Sequence, residues 1–126
     1  IMTNRKVYIS GEIIPEEDAK ISIFDSAVLL GDTVTESTRT FNYKPFKLKE
    51  HIDRLYKSFK LTRIDPQMTK KEMMDDSLNL LEINKNEYAS NQDCWLVHNV
   101  SRGHSITGGN PTLQVTKPTV MIYTQP

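Results

Sequence analysis

Arg54 is the side chain whose placement speaks most directly for chemistry. It follows Ile52 by two residues and precedes Leu55 by one, at the edge of an apolar helical stripe. A guanidinium held there can fork onto a phosphate or a carboxylate through paired, charge-assisted hydrogen bonds. The competing role is an ion pair along its own helix with Glu50. Arg39 raises the same question on an extended segment. His51, His98 and His104 fall on different elements, and scattered histidines ordinarily serve structure. Cys94 is the single cysteine, which excludes an internal disulfide and fits a reducing, cytoplasmic setting. With no carboxylate at ligand spacing, no metal site is expected. The motifs G-x-x-x-x-G-K-[ST], H-E-x-x-H, C-x-x-C and G-x-S-x-G are all absent.

These side chains need elements to position them. Val7–Pro15 reads as a hairpin around Ser10-Gly11, stopped by Pro15. Ile21, Ile23 and Phe24 form one short apolar piece and Ala27–Leu30 another, punctuated by Gly31-Asp32. From Thr33 to Phe41, four threonines and a valine favour a strand, because β-branched side chains fit a pleated surface. Thr33, Thr35, Ser37 and Arg39 share one face, and Val34, Glu36, Thr38 and Thr40 the other. Neither face is greasy, so a wet cleft and open solvent are equally good destinations for a polar face. Asn42–Pro45 makes a turn, with Phe46-Lys47-Leu48 expected to return beside the strand. Leu48, Ile52, Leu55 and Phe59 recur at helical spacing and predict a helix over Lys49–Leu61. Thr69 and Glu72 form a capping box, and Met74, Leu78 and Leu81 are the expected buried stripe of a second helix ending near Asn84. Cys94–Ser101 is a mostly apolar, central strand, His104–Asn110 a flexible loop, and Thr119–Thr124 the last strand. Strands, two helices, then strands predict an α+β fold: a largely antiparallel sheet with two helices packed on one face.

Composition narrows the partners. The 126 residues suit one domain. Sixteen basic and sixteen acidic residues give a net charge of zero, which removes the electrostatic footprint of a nucleic-acid binder. No apolar run approaches the roughly 20 residues that cross a bilayer, so no membrane partner is expected. An apolar content of 37% is lean, as in a domain that rests on a neighbour.

A longer pattern adds a family to this reading. Gly31-Asp32-x-Val34-x-Glu36-x-x-Arg39, followed by Lys44-Pro45-Phe46-x-Leu48-x-x-His51-x-x-Arg54-Leu55-x-x-Ser58, resembles the signature of class IV aminotransferases, the fold-type IV enzymes of pyridoxal 5'-phosphate (PLP). The opening hairpin, Val100-Ser101-Arg102-Gly103 and Lys117-Pro118 extend the resemblance over nearly the whole chain. It implies that residues 1–126 are an N-terminal small domain, with PLP in the crevice between it and a large C-terminal domain. It implies Arg54 as the phosphate contact and Leu30, Thr35, Ser37, Arg39, Trp95 and Val97 on the substrate side. An amino acid or amine as substrate and a homodimer follow from the same resemblance.

The chain also departs from the pattern. Branched-chain aminotransferases generally have Phe where Thr35 stands, Gly for Ser37 and often Tyr for Leu30, and the bacterial ones have an Arg near Val97. The Arg and His that D-amino-acid aminotransferases place in the late loop correspond to Thr107 and Gly109. Val-Ser-Arg-Gly nonetheless resembles the D-amino-acid and (R)-amine branch. No lysine here matches the Schiff-base lysine of the large domain, since Lys117 falls at a structural position. The chain alone is therefore expected not to catalyse transamination. The alternatives are a PLP-dependent lyase of the aminodeoxychorismate lyase kind, or a non-catalytic association module derived from this domain.

Overall fold

The computed structural model describes residues 3–105 and 117–126. Six strands form one sheet in the order β2-β1-β6-β5-β3-β4. They are β1 (Lys6–Ile9), β2 (Glu12–Pro15), β3 (Thr33–Phe41), β4 (Lys44–Pro45), β5 (Trp95–Ser101) and β6 (Thr119–Gln125). All pairings are antiparallel. Three helices, α1 (Ser26–Leu30), α2 (Leu48–Thr62) and α3 (Lys70–Asn84), complete the described part. The fold is α+β, with α2 and α3 on one face of a largely antiparallel sheet. Among the described residues, no helix is long and apolar enough to cross a membrane.

The stripe of α2 is buried as its spacing demands. Leu48, Ile52, Leu55 and Phe59 are at most 6% exposed, each stabilising the core by about 1.5–3 kcal/mol. They meet Leu96 and Val100 of β5 and Val120 and Ile122 of β6 in one cluster. On α3 the buried face is Met73, Ser77, Leu80, Leu81 and Asn84, a rotation from the expected one: Leu78 is 45% exposed and Met74 only half-buried. Polar partners explain the shift. Ser77 satisfies its hydroxyl on the Met73 carbonyl. Asn84 accepts from the Lys6 N–H and donates to the Lys6 carbonyl and Thr124 Oγ1, so both can be buried without loss. The capping box at Thr69 and Glu72 is present.

Two turns differ from expectation. Asn42 and Tyr43 both adopt positive φ, at 51° and 58°, which closes a two-residue hairpin. The return strand is therefore Lys44–Pro45, and Leu48 already belongs to α2. Phe46 still donates its N–H to the Arg39 carbonyl at 2.8 Å. Ala27–Leu30 falls within the short helix α1, capped by the Asp25 side chain and ended by Gly31 at φ 64°. The strand expected from Cys94 begins at Trp95. Most of the expected loop over His104–Asn110, with Thr107 and Gly109, lies outside the described residues.

Candidate functional site

Strand alternation sorts β3 into two unlike faces. Glu36, Thr38 and Thr40 turn inward and are at most 5% exposed, whereas Thr35, Ser37 and Arg39 are exposed on the side away from the helices. The register with β5 pairs Thr35 with Asn99, Ser37 with Val97 and Arg39 with Trp95. Five of the residues expected on the substrate side thus form a two-strand patch on the open face. Val97 is only 5% exposed and presents little surface to it. Leu30 ends α1, two residues before β3, and is 56% exposed. It lies among Ile23, Phe24, Val28 and Leu29, all at least half exposed.

Arg39 is held by stacking. Its guanidinium carbon lies 5.2 Å from the Phe41 ring centre and 5.8 Å from that of Trp95. Arg5, Arg54 and Arg102 each pair with a carboxylate, but Arg39 meets none among the described residues. On the same open face, an apolar recess of about 310 Å³ lies between β1, β6 and the segment at Ala19 and Ile21. Strand β5 separates it from β3, so it is not continuous with the Arg39 clamp.

Arg54 stands on the other side of β3. Its partner is neither Glu50 nor any residue of its own helix. Nε donates to Glu36 Oε2 at 3.0 Å and Nη2 donates to Oε1, while His51 Nδ1 lies 2.7 Å from the same Oε1. The Glu36 side chain is 4% exposed and that of Arg54 68%, so a buried carboxylate anchors a cation whose outer edge is open. Burial alone would raise the Glu36 carboxyl. Hydrogen bonds from Arg54 and His51, with their charges, outweigh it and hold the group below the usual carboxylate range. The same bond and charge raise the Arg54 guanidinium. The side-on pair occupies Nε and Nη2 and leaves Nη1 without an acceptor among the described residues, the donor edge that a planar or tetrahedral oxyanion requires.

The structure therefore gathers Thr35, Ser37, Arg39, Trp95 and Val97, and places Arg54 across the strand from them with Glu36 as the hinge. Glu36 and His51 had no role in the sequence-based reading beyond their place in the motif. The available signal was a lone acid at an inward-facing position of a hydroxyl-rich strand.

Known proteins resemble this arrangement along the chain. The family model for amino-transferase class IV matches residues 33–126. A Methanocaldococcus jannaschii protein, whose name assigns it provisionally to the branched-chain-amino-acid aminotransferases, is 40% identical over 121 residues, 96% of this chain and 40% of its own. A D-alanine aminotransferase of Staphylococcus aureus is 28% identical over 120 residues, 95% of this chain and 41% of its own. A branched-chain amino acid aminotransferase from the organism abbreviated T.th., solved with pyridoxamine 5'-phosphate, superposes with a TM-score of 0.82 at 25% identity, covering 98% of this chain and 41% of that one. The chain thus spans about two fifths of the length of these relatives. With its signature, its fold and the anchored arginine in place, the chain belongs to the amino-transferase class IV family.

Proposed function

We propose that this chain is the small domain of a PLP-dependent aminotransferase, which moves an amino group between an amino acid or amine and a 2-oxo acid. The observation that carries the reading is Arg54, fixed side-on by buried Glu36 with its Nη1 edge open. That donor set fits a phosphate: the anchor orients the fork beforehand, so little side-chain entropy remains to be lost on binding. The similarity to an enzyme solved with pyridoxamine 5'-phosphate supports the same cofactor. When bound, PLP supplies the electron sink for bond cleavage at the substrate α-carbon. Arg54 holds its phosphate, and Glu36 and His51 hold Arg54. Thr35, Ser37, Arg39 and Trp95 line the substrate side, with Val97 beneath and Leu30 at the entrance to β3.

The share of its relatives that the chain spans supports a large partner domain, to which the proposal assigns the lysine that bears the cofactor. The apolar cluster of Ile23, Phe24, Val28, Leu29 and Leu30 supports a homodimer. The test is an amino-transfer assay on the full-length protein and on residues 1–126, each supplied with PLP, a panel of amino acids and a 2-oxo acid. Transfer by the full-length protein and none by the chain is expected. Robust turnover by residues 1–126, or none by the full-length protein with any amino donor, would contradict the proposal.

A further inference from the structure

The Ser101-Arg102-Gly103 step at the exit of β5 belongs to the motifs that the proposed cofactor and substrate roles leave unused. Arg102 is 7% exposed and ties together three segments. Nε donates to Asp32 Oδ2 at 2.7 Å and Nη2 to Asp32 Oδ1 at 3.1 Å. Nη1 donates to the Arg63 carbonyl and Nη2 to the Thr62 carbonyl, both at 2.8 Å. The last two are terminal carbonyls of α2, which have no intrahelical donor and carry the negative end of the helix dipole. The helix ends there on Arg63 at φ 59°, a left-handed turn on a side chain that disfavours it, so the C-terminus needs an external hold.

That hold is the second of two between α2 and β3. The first is Arg54 with Glu36. From Asp32 to Glu36 the strand advances four residues, about 13 Å; from Arg54 to Thr62 the helix advances eight, about 12 Å. Two bars of nearly equal length are thus pinned at both ends by guanidinium–carboxylate contacts. Between them lie Leu55 and Phe59, apolar contacts that are nondirectional and tolerate sliding. Only the pins fix the helix along the strand.

We infer that Arg102 is a positioning residue: by pinning the end of α2 to the start of β3, it sets Arg54 over Glu36 and so determines how well the chain discriminates a phosphorylated cofactor from its unphosphorylated form. This rests on the proposed phosphate role of Arg54. Asp32 is the strand-side half of the device, and its loss leaves Arg102 on the helix but unties the helix from β3.

The test is equilibrium dialysis of the full-length protein against PLP and against pyridoxal, which lacks only the phosphate. The readout is the ratio of the two dissociation constants, measured below the melting temperature of each variant. Arg102→Lys keeps the charge without the fork, and Asp32→Asn cuts the strand side alone. Each is expected to lower the ratio at least about tenfold, and Arg54→Gln to bring it near unity. Leu80→Ala, a core truncation on α3, is the control: it should lower the melting temperature and leave the ratio unchanged. If Arg54→Gln abolishes discrimination while Arg102→Lys and Asp32→Asn melt early but keep the wild-type ratio, Arg102 is purely structural and the inference is overturned. A wild-type protein without preference for PLP would instead overturn the phosphate role of Arg54, and the inference with it.

Discussion

His98 shows how one buried side chain writes a pH dependence into the fold. Ser77 Oγ donates to the Met73 carbonyl at 2.6 Å, so its contact with His98 Nε2 at 2.7 Å must be one in which the imidazole donates. Nδ1 is then a bare acceptor, buried without a partner. A second ring proton would be buried without an acceptor. Desolvation accordingly drives the group from 6.5 down to about 4, with Glu36 opposing and His51 adding to the shift. The unfolded chain takes up this proton near 6.5 and the folded chain only near 4, so stability is complete above the first value and falls as pH drops toward the second. Between about pH 7 and pH 5 the loss is about 2 kcal/mol. Urea melts at both pH values check it, with His98→Gln expected to flatten the difference and an unchanged slope counting against this assignment. Glu36 acts lower on the scale. Its depressed carboxyl contributes above the unfolded value of 4.5 and loses that contribution on further acidification, so Glu36→Gln should leave the slope between pH 7 and 5 intact.

At the scale of elements, α2 is legible in the sequence and α3 only in part. Four apolar residues at the period of a helix, with charges between them, leave α2 one face to bury. On α3, Ser77 and Asn84 occupy buried positions because specific partners on β5, β1 and β6 satisfy them, and no local pattern announces a partner 21 or 78 residues away. Leu78, apolar and at helical spacing, reads as core from local pattern alone. Truncation separates the two phases: Met73→Ala should cost about 2–5 kcal/mol, whereas Leu78→Ala should cost within about 0.5 kcal/mol of nothing, measured by denaturant unfolding. Equal losses would contradict the observed orientation of α3. The five residues of α1 are too few to display a helical period, and the displacement of β4 follows from a turn closed by two positive φ angles, which the Asn-Tyr pair does not advertise. The anchoring of Arg54 illustrates the same limit. The edge-of-stripe position of the arginine is visible in sequence, but its carboxylate sits 18 residues back on another element.

The molecule as a whole has a satisfied helix side and an unfinished outer side. Buried polar groups on the helix side are nearly all paired; among the described residues only Thr38 Oγ1 and His98 Nδ1 are not. Outside, Phe24 and Leu29 are each about half exposed beside Ile23, Val28 and Leu30, a contiguous apolar cluster of the kind that marks association surfaces. In the full-length protein, Phe24→Asp with Leu29→Asp should convert dimers to monomers in light scattering at micromolar concentration, and a dimer that survives both would place the contact elsewhere. The lean composition acquires a location from this: the missing apolar cover belongs to α1 and the open sheet face, while the core between sheet and helices is complete. The claim on which the functional reading turns is that Arg54 grips a phosphate dianion. Phosphorus-31 NMR of the PLP-loaded full-length protein, followed across the second phosphate ionisation near about pH 6, tests it most directly. The expected result is a resonance that stays at its dianionic position in the wild type and titrates like free PLP in Arg54→Gln. A resonance that behaves identically in both proteins would contradict it.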